Sequence, residues 1–282
     1  MLNTVSINKA IVWACQQEVS APKPGNVNCY SDAHQMSVQD FLKSAQAIAP
    51  ILSQKNLSIG NMILKSVIAT QKVVNCNTNL GIILLFAPLC KAVHDCHTSK
   101  QLPGSLTLLL NDLTIDDAKK AYEGIRLAQA GGLGNSDLHD INNEPTVTLR
   151  HAMEYAKDKD SIAAQYLNNY RDIFGLGLTN LTLSINCGES IEWASAFAYL
   201  NLLSVIPDSL VIRKQGLPCA KSLMKESKEM LRKLNGNKKL SQFESDIILW
   251  DKELKQKAIN PGTTADMTAA TLLVYAFEQA LS

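Results

Sequence analysis

Apolar residues recur every three to four positions along almost the whole chain, and alternation suited to a strand is scarce. The clearest case is Leu240, Phe243, Ile247, Trp250 and Leu254, which give a helix one apolar face. The same spacing predicts helices over Val5–Val19, Val38–Leu52, Ser58–Val74, Leu80–Val93, Thr114–Ala130, Val147–Lys157 and Asp160–Phe174. It continues over Glu189–Ile206, Leu217–Leu234 and Thr264–Leu281, with a short helix from Pro103. Gly175–Gly188 is ambiguous. The expected fold is all-α, a single-domain multi-helix bundle over residues 1–282 with active-site loops between helices, since no repeat, low-complexity tract or linker divides the chain.

Helix signals sharpen several boundaries. Ser37 or Asp40 can start the second helix and Ser58 the third, while Thr114-Ile-Asp-Asp117 has the form of a capping box. Leu80–Leu89 is the longest apolar run; it is too short to span a bilayer and contains Pro88, which predicts a core helix bent or ended there. With 27 basic and 26 acidic residues, net charge is +1, which gives no general attraction to nucleic acid or to an anionic membrane. Seven cysteines without a C-x-x-C pair, and no secretory signal pattern, predict reduced thiols in a cytoplasmic protein. A homo-oligomer is compatible with the sequence, although aromatic content is only 6% and no interface anchor stands out.

Four loops combine glycine with small polar or charged residues: Glu18–His34, Asn75–Gly81, Gly131–Asp140 and Asn260–Asp266. In the first, Pro22, Pro24 and Gly25 stiffen a backbone that presents Lys23 and Glu18, either as an anion site or as an ordinary connector. Two of the others lead into helices, whose free amides and partial positive charge suit phosphate. Thr263 and Thr264 could equally be an N-cap, and Asp266 could answer the helix dipole. Gly131-Gly-Leu-Gly134 follows a helix rather than a strand, which argues against a dinucleotide fingerprint, and no Walker-type G-x-x-x-x-G-K-[ST] occurs. His94-Asp-Cys-His97 points in several directions from a helix and is expected to be an exposed helix end, not a metal site. His139-Asp140 is the better site candidate, with Asp32 and His34 a second such pair.

Taken in order, these loops resemble the triphosphoribosyl-dephospho-CoA synthase family. The residues that carry the resemblance are Glu18 with Pro22-Lys-Pro-Gly25, Asp32-Ala-His34 with Met36, and Asn77-Thr-x-x-Gly81. Gly131-Gly-Leu-Gly134, Asp208–Arg213 with Gly216, and Pro261-Gly-Thr-Thr-Ala-Asp266 follow. The resemblance implies an all-helical enzyme that uses ATP as a sugar donor: the 2′-hydroxyl of dephospho-CoA attacks C1 of the ATP ribose, adenine leaves and the triphosphate stays on the product. That displacement calls for a carboxylate beside an oxocarbenium-like centre, and for magnesium with lysine or arginine on the triphosphate.

On that footing Asp32, His34, Asp140 and Asp266 are candidate catalytic residues. Lys23, Gly25, Asn77, Thr78, Gly81, Arg213, Thr263 and Thr264 are expected to bind the nucleotide, and Glu18, Asp140 and Asp266 the magnesium ion. The chain departs from better-known members, which read Asn-Thr-His-Lys-Gly where it has Asn77-Thr-Asn-Leu-Gly81. Such a divergent branch leaves open a related transferase or kinase with another coenzyme-like acceptor, or a helical interaction module without activity.

Overall fold

The computed structural model describes residues 1–32, 36–74, 76–129, 139–234, 236 and 239–282. Among them are fourteen α-helices and no strand. The N-terminal half comprises α1 (Thr4–Ser20), α2 (Val38–Leu52), α3 (Ile59–Val73), α4 (Leu80–Val93), α5 (Leu102–Asn111), α6 (Ile115–Leu127) and α7 (Leu149–Ala156). It is followed by α8 (Ser161–Asn168), α9 (Leu178–Asn186), α10 (Ile191–Val205), α11 (Ser209–Gln215), α12 (Leu217–Lys233), α13 (Glu244–Gln256) and α14 (Gly262–Leu281).

The caps read from the sequence form. Ser37 Oγ accepts the Asp40 amide while the Asp40 carboxylate accepts the Ser37 amide, and Thr114 and Asp117 repeat the arrangement. Each such cap is worth about 1 kcal/mol. Helix α2 therefore begins and ends where the spacing predicts, and α6 opens at its capping box.

Two apolar clusters organise the helices. The larger draws on α1 to α8, on the C-terminal helix α14 and on one side of α10. The smaller gathers α10, α12, α13 and the turn before α14. Helix α10 serves both: Ala194, Ala198 and Leu202 face the first, while Phe197, Leu200 and Leu203 face the second. A helix buried on two sides needs no single apolar stripe, which is why its sequence is apolar all round.

Helix α4 is the core helix expected, with every residue but Lys91 buried. It does not end at Pro88. Proline removes the amide that the Leu84 carbonyl would receive, and the buried Tyr166 hydroxyl donates to that carbonyl at 2.7 Å instead. Tyr170 donates to the next one, Leu85, at 3.2 Å. The tyrosines come from a segment expected to be one helix, Asp160–Phe174. In the structure α8 stops at Asn169, where φ is +55°, and Tyr170 follows at +60°. Asparagine tolerates this left-handed geometry better than most residues. A π-helical turn, Asp172–Gly177, then leads into α9 and resolves the ambiguous stretch.

The expectation for His94–His97 holds only in part. Asp95 and His97 are exposed, but His94 and Cys96 are buried, and His94 Nε2 lies 3.2 Å from the Ser53 carbonyl oxygen. Burial disfavours the charged ring and lowers the His94 pKa.

Candidate active site

The stiff loop after α1 is held from within. Lys23 is fully buried, and its ammonium donates to Glu18 Oε1 at 3.0 Å, to the Glu18 carbonyl at 2.6 Å and to the Val27 carbonyl at 2.9 Å. Three donors meet three acceptors, so the phosphate contact expected of Lys23 is corrected: the ammonium stands behind Glu18, off the cavity wall described below. Burial raises the Glu18 pKa and the Lys23 charge opposes that rise.

Gly25 likewise packs the loop instead of facing a ligand. Its φ is +84°, its amide donates to Asp251 Oδ1 at 2.8 Å, and a Cβ there would lie 2.8 Å from the Ile259 carbonyl oxygen. Only glycine permits both the backbone angle and this close approach. Asn26 Nδ2 donates to Asn260 Oδ1 at 2.8 Å, and Tyr199 donates to the Pro24 carbonyl at 2.9 Å. The first and last of the four loops are therefore one packed unit.

The start of α14 is set by Asp208, a buried carboxylate at the head of α11. Its Oδ1 accepts the Val211 amide, and its Oδ2 accepts both the amide and the hydroxyl of Thr264 at 2.8 Å. Thr264 thus ties α11 to α14 and is off the cavity wall, contrary to the nucleotide contact expected, whereas Thr263 lines the cavity and accepts a hydrogen bond from Ser209. One turn on, Asp266 rests against Gly81 at the start of α4: a Cβ on Gly81 would stand 2.0 Å from Asp266 Oδ2. That contact brings the second loop to the last.

Three of the four loops so converge on a cavity of about 900 Å³. That is near the upper end of the range for small-molecule sites. Glu18, Asn77, Thr78, Gly81, Thr263 and Asp266 all line it. Arg213 and Asp140 line it too, Arg213 from the last turn of α11 and Asp140 from the segment before α7. Asp32 does not: it is exposed and accepts the Val38 amide at the start of α2. His34 and Gly131–Gly134 lie outside the described residues.

Charge is divided across this wall. Glu18 and Asp140 are buried on it, while Asp40, Asp266 and the Asp160–Arg213 pair are half-buried. Burial lifts the Asp266 pKa well above the usual carboxylate value; Glu18, Asp208 and Asp160 push it further up, and Arg213 opposes them. The exposed part carries Lys43, Lys159 and Lys214. The periodicity did not single out these lysines, since each reads as an ordinary solvated position. Asp160, within Lys157-Asp-Lys-Asp160, reads the same way, although an aspartate ahead of a helix is also the signal of the cap it forms. An aromatic side is built by the expected His139 with Tyr122 and Tyr155, which the sequence did not mark, and the His139 and Tyr155 rings are 4.3 Å apart. Among the described residues no three His, Cys, Asp or Glu side chains are grouped to hold a metal by themselves. No single helix among them is long and apolar enough to cross a membrane.

A crystal structure from Archaeoglobus fulgidus, of a protein given the provisional name triphosphoribosyl-dephospho-CoA synthase, superposes on this chain with a TM-score of 0.66. The match covers 84% of this chain and 98% of that one at 24% sequence identity, which shows a shared fold. No curated protein sequence matches. A family model described as ATP:dephospho-CoA triphosphoribosyl transferase matches residues 4–282. The chain therefore belongs to the ATP:dephospho-CoA triphosphoribosyl transferase family.

Proposed function

We propose that residues 1–282 act as one catalytic unit, and that transfer of the triphosphoribosyl group from ATP to dephospho-CoA takes place in the 900 Å³ cavity. The observation that carries this reading is the division of charge along its wall, whose carboxylates are buried or half-buried and whose lysines are exposed. A displacement at C1 of a ribose develops positive charge at the sugar, which favours carboxylates there. The triphosphate needs cations, and Lys43, Lys159, Lys214 and Arg213 supply them.

Within the site Asp266 is the candidate base for the attacking hydroxyl. A carboxylate whose pKa is raised by burial takes a proton more readily at neutral pH than an exposed one. Glu18 forms an ion pair with Lys23, so it fixes a local field and leaves Asp266 as the group free to exchange a proton. Adenine, the leaving group, has room against the aromatic side made by His139 and Tyr155.

Magnesium fits the oxygen-rich wall as an ion carried in on the triphosphate. Such ions use one or two protein carboxylates and complete their shell with phosphate and water; of the three expected ligands on the wall, Glu18 is held by Lys23 and Asp266 serves the attacking hydroxyl, which makes Asp140 the candidate. When bound it would neutralise triphosphate charge. The substrates are small molecules, the balanced net charge argues against a nucleic-acid partner, and the reduced-thiol reading of the cysteines supports a cytoplasmic setting.

Purified protein incubated with ATP, magnesium and dephospho-CoA is expected to release one adenine per acceptor consumed, with a product heavier by the triphosphoribosyl group. Accumulation of ADP without adenine would instead mark a kinase.

A further inference from the structure

The start of α4 contains a polar atom that the fold leaves unpaired. Asn79, immediately before the helix, is 5% exposed and lines the cavity. Its Oδ1 accepts a hydrogen bond from the buried Thr70 hydroxyl at 3.1 Å, which fixes the amide so that Nδ2 points the other way. That Nδ2 is buried and has no acceptor. Buried donors in folded proteins are almost always paired, so this one is set to meet an acceptor on a bound molecule. The first amide of α4 is already taken, since Leu80 donates to Asn77 Oδ1 at 3.1 Å. The side-chain amide of Asn79 is therefore the donor this helix start holds ready.

The chemistry of its neighbour says what it meets. Asp266 Oδ2 packs against Gly81, two residues along. A carboxylate that accepts and an amide that donates, on the wall of one cavity, complement a hydroxyl, which both gives and takes a hydrogen bond. A phosphate is disfavoured in the same place, because Asp266 stands there with Glu18 and Asp160 on the same wall, while the lysines of that wall are exposed.

We propose that Asn79 Nδ2 and Asp266 together hold a ribose hydroxyl, and that Asn79 is thereby a residue that sets specificity for ribose over deoxyribose. The inference rests on the reading above, in which ATP and dephospho-CoA share this cavity. Each brings a ribose, and the test separates them.

Calorimetric titration of the full chain with magnesium compares ATP, 2′-deoxy-ATP, 3′-deoxy-ATP and dephospho-CoA, each alone, on wild type, Asn79→Ala and Asn79→Asp. Asn79→Asp preserves size and the Thr70 contact, so it carries the test should Asn79→Ala fold poorly. Wild type is expected to prefer ATP over one deoxy analogue by about tenfold, the loss of one good hydrogen bond. Both variants should reduce that preference to about twofold or less. A loss confined to dephospho-CoA, with the ATP series unchanged, assigns the hydroxyl to the acceptor and also supports the proposal. Variants that keep the wild-type ATP preference and the wild-type dephospho-CoA affinity overturn it, while ATP still binding leaves the function standing. A wild type that binds neither ATP nor dephospho-CoA overturns both.

Discussion

Asp266 Oδ2 lies where the side chain of residue 81 would begin: a Cβ on Gly81 would stand 2.0 Å from it. The start of α4 and the start of α14 are packed so closely that glycine is required between them. In Gly81→Ala the methyl must displace the Asp266 carboxylate, since the other close neighbour, Ile162 Cδ1, is only 2.7 Å away. Transfer should fall by about a hundredfold, the scale of a mispositioned general base. Thermal unfolding should still show a cooperative transition. Adenine release and the melting curve, measured together, check this.

Asp266 should also make stability depend on pH. Its folded pKa is raised, by burial first, while in the unfolded chain it titrates near the ordinary carboxylate value of about 3.9. Between those two pKa values the folded state binds more proton than the unfolded one, so this group's contribution declines as pH rises from about 4 to the folded value. Asp266→Asn removes that dependence. The melting temperature of the variant, relative to wild type, should rise across this window and approach it again near pH 4.

Periodicity made the helices readable, and the glycine loops marked three of the stretches that meet. Helix α4 fell where the apolar run put it because nothing in its surroundings competes with burial. Lys23 was misread because its three acceptors belong to its own loop, Glu18 and the carbonyls of Glu18 and Val27. A backbone carbonyl turned inward leaves no mark on a side-chain pattern. Asn79 was read as a lost histidine, yet burial and the Thr70 contact turn it into a held donor. The lysines that face the cavity came from segments with no motif, and only the packing of α2, the turn after α7 and α11 around one space brings them together.

The Lys23–Glu18 pair yields a stability prediction. Lys23→Met leaves Glu18 buried without its counter-charge and should cost about 3–5 kcal/mol, the usual penalty for removing one partner of a buried pair. Glu18→Gln added to it should recover part of the loss. Urea unfolding of both variants measures the difference.

Tyr166 stands in for the amide that Pro88 lacks. Tyr166→Phe leaves the buried Leu84 carbonyl without its donor and should destabilise the protein by about 1–3 kcal/mol. Because Tyr166 does not line the cavity, the affinity for ATP of the folded variant should be unchanged.

Arg213 has one end fixed by Asp160 and a buried Nε with no acceptor. Arg213→Gln should weaken ATP binding by about 10–100-fold, the value of a charge-assisted hydrogen bond of about 1.5–3 kcal/mol. Lys43, Lys159 and Lys214 are exposed, so wild-type affinity for ATP should also fall as salt is raised. Titration at two ionic strengths tests both statements.

The central claim is that triphosphoribosyl transfer runs through Asp266 in this cavity. Its most direct measurement is adenine formed from ATP and dephospho-CoA by wild type and by Asp266→Asn at equal, saturating substrate. Wild type should release adenine in step with product, and the variant should still bind ATP while releasing it at least about a hundredfold more slowly. Adenine release by Asp266→Asn at the wild-type rate would contradict the account.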